Sequence, residues 1–197
     1  MRYTPGVNPP GAVCRRYVSR PATSDRAGPA YGVHDEHTVA MSCRDGESID
    51  DAFTRVRDRL MAYDIFPPPI FRHRACPPGS LSPGTTIVQR VGVVVALEFA
   101  VRVVDVWDTV EGDHRSAGFT YVTLRGHAEC GVETFEVRKS GDSLSVLVTA
   151  TSLPATWITR LLRRIARRVQ IALTRRALIR LASPGHVANE RRQYAPP

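Results

Sequence analysis

The stretch AGFTYVTLRGHAECGVETFEVRKSGDSLSVLVTAT, residues 117–151, decides the fold of this chain. It contains three segments rich in valine, threonine and aromatic residues, separated by the turn-forming groups Gly126-His127 and Ser140-Gly141-Asp142. Connections this short favour antiparallel neighbours, because parallel strands need a long crossover. The stretch therefore predicts three consecutive antiparallel strands.

The residues before this stretch extend the pattern. Segments 85–96 and 98–109 have the same composition, so the sequence predicts a meander of about five strands. An extended segment that ends near Cys43 is a candidate for a further strand. Ser48 is placed to cap a helix that runs to about Tyr63, since its hydroxyl can accept a hydrogen bond from a first-turn N–H group.

Residues from Pro154 onward carry the clearest helical pattern. A first-turn proline is tolerated, and no glycine or proline follows until Pro184-Gly185, which predicts a helix of about 29 residues and roughly 43 Å. One side of this helix is apolar and much of the rest is arginine. The predicted fold class is therefore α+β: a curved antiparallel sheet wrapped around a long C-terminal helix, in a helix-grip-like arrangement, with a short N-terminal helix.

The two ends of the chain have a different composition. Residues 1–30 hold five prolines and no apolar periodicity, and such a segment buries too little surface to offset its ordering entropy. We therefore expect a disordered tail at 1–30, a helix-grip-like domain at 31–183 and a flexible tail at 184–197.

The overall composition excludes several classes of protein. With 197 residues and 43% hydrophobic content, the chain can bury one core without a disulfide or metal staple. No apolar run approaches the roughly 20 residues of a transmembrane helix. The first residues lack the pattern of a secretory signal, so we expect a cytoplasmic protein.

The cysteines give no sign of a metal site. Cys14, Cys43, Cys76 and Cys130 are scattered, and no close pair has the spacing of zinc ligands. We expect free thiols, and the sequence predicts no metal and no cofactor.

The block 118–135, GFTYVTLRGHAECGVETF, resembles a family signature. It is similar to G-F-x-Y-G-T-L-x-G-H-x-E-x-G-E-E-x-F, the pattern of domain of unknown function 1990, and the resemblance extends loosely from Tyr31 to Leu181. Val122 and Val132 depart from the pattern, where the family has glycine and glutamate. The family is similar to the START and Bet v 1 helix-grip proteins, which implies an apolar ligand cavity and no known activity.

Polar residues of this block form the candidate site. The predicted hairpin brings Tyr121, His127, Glu129 and Glu133 into one neighbourhood. The histidine with its neighbouring carboxylates is a candidate general base or proton relay. It equally fits a turn residue whose ring binds the loop's own backbone.

The leading functional hypothesis is a non-catalytic module that binds an apolar or amphipathic molecule between the sheet and the C-terminal helix. An enzyme would instead require Tyr121, His127 and Glu133 to meet in one cleft with perturbed proton affinities. Large aromatics such as Trp107 and Phe119 fit either a pocket wall or ordinary core. The predicted ligand-binding residues are Trp107, Phe119, Tyr121, His127, Glu133, Val146 and Val148.

The alternative is an interaction protein that uses its basic helix. A net charge of +8 and the arginine face would attract an anionic partner: an acidic protein, an anionic lipid surface or nucleic acid. Nucleic acid is disfavoured because no recognition motif accompanies the charges. A plain solvated face explains the same pattern. The predicted partner-binding residues are Arg160, Arg163, Arg164 and Arg167.

Overall fold

The computed structural model describes residues 10–23, 33–66, 71–92, 97–155 and 176–181. These hold two named helices and seven strands. The helices are α1 (Pro10–Val18) and α2 (Ile49–Met61). The strands are β1 (Val33–Ala40), β2 (Phe71–Cys76), β3 (Thr86–Val91), β4 (Leu97–Glu111), β5 (His114–Thr123), β6 (Glu129–Ser140) and β7 (Ser143–Pro154).

The strands form one antiparallel sheet in the order β1-β7-β6-β5-β4-β3-β2. The predicted five-strand meander is confirmed as β3 to β7, each paired with the next. The extended segment before Cys43 is β1, which pairs along its whole length with β7. The result is a curled open sheet whose two faces differ, and we call the face that packs against α2 the inner face.

Helix α2 covers part of the inner face. As predicted, Ser48 is its N-cap, and the Ser48 hydroxyl oxygen accepts a hydrogen bond from the Asp51 backbone N–H at 3.1 Å. The apolar residues of α2, spaced three and four apart, join Phe119 and Phe135 of the sheet in the main core. The buried residues of this helix are Ala52, Phe53, Val56 and Leu60.

Residues 176–181 are helical and also belong to this core, which buries Ala177, Leu178 and Leu181. The guanidinium of Arg59 donates to the Arg180 carbonyl at 2.9 Å, and the Arg180 side chain binds Asp64 at 2.8 Å. The end of α2 is thereby tied to this segment. The predicted helix start is wrong: Pro154, taken as its first-turn proline, is the last residue of β7, where it pairs with Glu129 and ends the strand. Residues 156–175 and 182–183 of the predicted helix lie outside the described residues.

Helix α1 packs on the opposite, outer face. Its Tyr17 lies in a second apolar cluster with Val88, Ala100 and Leu124, and a disulfide joins Cys14 to Cys76 on β2. For residues 10–23 the structure therefore differs from the predicted disordered tail, and the predicted free thiols are wrong for these two cysteines. Both errors have one cause: the partners are 62 residues apart in sequence, and no local pattern shows that they meet.

No helix within the described ranges is long and apolar enough to cross a membrane.

We expect the Cys14–Cys76 disulfide to stabilise the fold by roughly 2 to 4 kcal/mol, because the cross-link reduces the number of conformations that the unfolded chain can adopt. Cys14→Ser should lower the denaturant midpoint accordingly, and a reductant should have the same effect on the unsubstituted chain but none on the variant. Cys43→Ser, at an exposed free cysteine, is the matched control. Equal midpoints for Cys14→Ser and the unsubstituted chain would contradict the expectation.

Candidate functional site

A row of polar side chains crosses the inner face. The Gln89 amide donates to the Tyr63 hydroxyl oxygen at 2.6 Å, the ring centroids of Tyr63 and Tyr121 lie 6.4 Å apart, and the Tyr121 hydroxyl donates to Glu133 Oε2. Gln89 lies on β3, Tyr121 on β5 and Glu133 on β6, while Tyr63 follows α2. Four separate parts of the chain thus contribute to one row.

Backbone geometry explains how these side chains meet. Tyr121 and Glu133 are direct partners across β5 and β6, and paired residues share a face of the sheet. Tyr63 adopts the left-handed conformation, with φ 55°, which is uncommon for a residue other than glycine. It is only 1% exposed, and its ring packs at 5.8 Å from the Phe119 ring. The strained turn therefore directs this hydroxyl into the core.

The environment of Glu133 shifts its proton affinity. Burial raises the pKa of Glu133 to about 7, the hydrogen bond from Tyr121 opposes that rise, and the carboxylates of Glu129 and Asp35 add to it. Burial also raises the pKa of Tyr121 and that of Tyr63, and Glu133 contributes to both shifts. At neutral pH the two phenols therefore stay protonated, while the carboxyl titrates.

The two oxygens of this carboxyl differ in their hydrogen bonds to the described residues. Oε2 accepts from Tyr121, whereas no hydrogen bond joins Oε1 to another of the described residues. Ala150 is paired with Glu133 on one side and Asp35 on the other. Glu133, Asp35 and His37 are half-buried on this part of the inner face. This strip is less tightly enclosed than the core beside it.

His127 lies in the turn between β5 and β6. The Glu129 backbone N–H donates to its Nδ1 at 3.1 Å, its ring lies 4.9 Å from the Phe99 ring, and burial lowers the pKa of His127 to about 4. These contacts favour the interpretation in which the ring binds its own loop. Of the predicted trio, the structure brings Tyr121 and Glu133 together, and no hydrogen bond within the described residues links His127 to them.

Phe119, Val146 and Val148 all lie on the inner face, but they are fully buried in the main core, at 0%, 0% and 1% exposure. They pack against other side chains around the half-buried strip. Their contribution to the site is to support Tyr121 and Glu133 from below.

Trp107 is on the outer face, contrary to its prediction as a wall beside Phe119. Its indole N–H donates to Ser116 Oγ at 2.8 Å, and Ser116 in turn donates to Glu136 at 2.6 Å. A β-bulge between Val103 and Asp105 is the cause. One extra residue reverses which side chains point inward after it, so Val106 packs against the core and Trp107 does not.

Sequence reasoning missed several residues of this site. Gln89 carries a usable signal, since it is the one amide of β3 and follows the apolar pair Ile87-Val88, and a buried amide needs a partner. Tyr63 carries none, because its position depends on a turn conformation. Asp35 and His37 become recognisable only from the register of β1 on β7.

Among the described residues no group of histidine, cysteine and carboxylate side chains has the arrangement of a metal site.

Comparison with known families gives one match. The sequence profile described as "Domain of unknown function (DUF1990)" matches residues 16–180. No curated protein sequence matches this chain.

Several solved structures resemble this chain at low identity. A hypothetical protein, jhp0584 from Helicobacter pylori, has a TM-score of 0.52 and 10% identity, covering 92% of this chain and 97% of its own. Norcoclaurine synthase from Thalictrum flavum, solved with dopamine and hydroxybenzaldehyde, has a TM-score of 0.47 and 15% identity over 77% of this chain and 88% of its own. Ara h 8.0201 has a TM-score of 0.45 and 6% identity over 76% and 97%.

We expect Glu133 to make stability depend on pH. Its pKa rises from the ordinary 4.5 to about 7 on folding, so the folded chain holds a proton that the unfolded chain has already released between these values. The free energy of unfolding should therefore fall as pH rises from about 4.5 to 7, by up to about 3 kcal/mol.

Denaturant unfolding across this pH range would measure the free energy of unfolding of the unsubstituted chain and of Glu133→Gln, whose amide cannot titrate. The difference between the two free energies at each pH is the contribution of the Glu133 titration. Glu111→Gln, at the exposed end of β4, is the control. Parallel curves for the unsubstituted chain and Glu133→Gln would contradict the expected linkage.

Proposed function

The chain belongs to the DUF1990 family, and from that premise we propose that it binds an apolar or amphipathic small molecule on the inner face of its sheet. The polar group of the ligand contacts Glu133, and its apolar part lies along the neighbouring inner-face surface. The helix predicted for the C-terminal residues would cover the other side of the molecule. The match covers most of the chain and assigns no activity, so the proposal depends on the site.

The observation that supports this function is the Oε1 of Glu133 on the half-buried strip, which accepts no hydrogen bond from another described residue. A carboxyl removed from water needs hydrogen-bonding partners or loses its charge. Here the Tyr121 hydroxyl binds Oε2, and Oε1 has no such partner among the described residues. A ligand polar group at Oε1 would complete the hydrogen bonding of this carboxyl.

The shape of the strip supports the same function. Ala150 places only a methyl group between Glu133 and Asp35, and it is not part of the main apolar core. A small side chain at this position leaves room beside the carboxyl. Phe119 and Phe135 beneath are close-packed, with ring centroids 5.4 Å apart, and form a rigid floor.

The interaction function, through Arg160, Arg163, Arg164 and Arg167, remains a prediction from sequence. These residues lie outside the described part of the chain.

The first experiment is native mass spectrometry of the gently purified chain, followed by denaturing analysis of whatever small molecule it carries. A co-purifying amphipathic molecule is the expected result. A probe assay covers the case of an empty site: N-phenyl-1-naphthylamine should gain fluorescence on binding, because its environment becomes apolar.

Ala150→Leu should weaken the binding of this probe about 10-fold or more, since the larger side chain occupies the strip beside Glu133. Thr149→Leu is the matched control, because the preceding residue points to the outer face. Both variants should unfold near the unsubstituted midpoint. No probe binding, or equal weakening by the two substitutions, would overturn the proposed function.

A further inference from the structure

The row Gln89, Tyr63, Tyr121 and Glu133 contains more polar chemistry than a binding face requires. Two phenols and one carboxyl are removed from water beside an aromatic core, where each isolated polar group is costly. The Gln89 amide donates to the Tyr63 hydroxyl oxygen, and the Tyr121 hydroxyl donates to the Glu133 carboxyl. The bond from Tyr121 fixes Oε2 in place.

Fixing Oε2 also orients the other oxygen. A carboxylate held at one oxygen by a rigid partner cannot turn freely, so Oε1 keeps one direction on the half-buried strip. A carboxylate with a single hydrogen bond and little water around it is a stronger base than one in water. Because Glu133 lies beside the proposed ligand site, a molecule bound there would be next to this base.

We propose that Glu133 acts as a general base toward a carbon-bound proton of the molecule held on the inner face, with Tyr121 as its positioning residue. This inference rests on the proposed binding function. The substrate class is a neutral, largely apolar molecule whose C–H group is made acidic by an adjacent carbonyl or imine.

The proton balance needs no co-reactant. Oε1 takes the proton, and the electron pair of the C–H bond moves toward the carbonyl or imine. Returning the same proton to a different carbon restores the carboxylate, so the net reaction is an isomerisation. The raised pKa of Glu133, about 7, suits both directions, because general acids and bases work best near the ambient pH.

A suitable probe is 5-nitrobenzisoxazole, an apolar molecule with one acidic C–H group. Loss of that proton to a base forms a nitrile from the C–H electron pair, breaks the N–O bond and releases a coloured phenolate. We expect the unsubstituted chain to accelerate this reaction above an equal concentration of acetate. Glu133→Gln should lower kcat/KM about 10²-fold or more, whereas Glu36→Gln, exposed on the outer side of β1, should not change it.

The pH profile separates this role from a structural one. The rate should rise with pH through the Glu133 titration, since only the carboxylate is a base. Other titratable groups on this face include Tyr121, Tyr63, His73, Glu129, Asp35 and His37. The hydrogen bond from Tyr121 lowers the pKa of Glu133 and the Asp35 charge raises it, so Tyr121→Phe should move the midpoint up and Asp35→Asn should move it down.

The outcomes separate the two proposals. Binding of N-phenyl-1-naphthylamine without any acceleration of the benzisoxazole reaction would overturn the general base and leave the binding function intact. Acceleration that persists in Glu133→Gln, or midpoints that move in the same direction in both profile variants, would also overturn it. If neither probe binds nor reacts, both proposals fail.

Discussion

The pairing of Tyr121 with Glu133 across β5 and β6 is the constraint on which the inner face depends. Because paired residues share a face, the side of the sheet that carries Phe119 and Phe135 must also accept a carboxyl. A carboxyl in that setting needs a hydrogen bond or a proton. Tyr121 supplies the hydrogen bond, and the raised pKa of Glu133 allows the carboxyl to keep its proton. The same residue therefore affects both the packing of the core and the acid–base chemistry of the inner face.

The elements that sequence reasoning predicted correctly have local signals. The strands β3 to β7 alternate with turn residues, and α2 has a capping serine and an apolar stripe. The connections between these strands are too short for a parallel crossover, so neighbouring strands pair antiparallel. The same locality explains why Tyr121 and Glu133 could be placed together, since one hairpin joins them.

The elements that were missed depend on contacts between distant parts of the chain. Helix α1 is held by Cys76 and the outer cluster, neither of which its own short sequence reveals. Trp107 was assigned to the wrong face because a single bulge at Val103 reversed the alternation. Gly118 shows the consequence: a β-carbon there would overlap the Trp107 ring, so this glycine makes room for the indole on the outer face.

Placing Glu133 at the edge of the core lowers stability locally, and the rest of the fold limits that cost. An apolar residue of similar size would pack there without a desolvation penalty, as with other buried charged groups. Beside it, Ala52, Val56 and Leu60 of α2 are fully buried in the main core, and none of these three side chains titrates. A stable core beside a costly carboxyl is the arrangement that a functional site requires. The inner face therefore has two parts: a close-packed apolar part that stabilises the fold, and a half-buried polar strip where binding and proton transfer can take place.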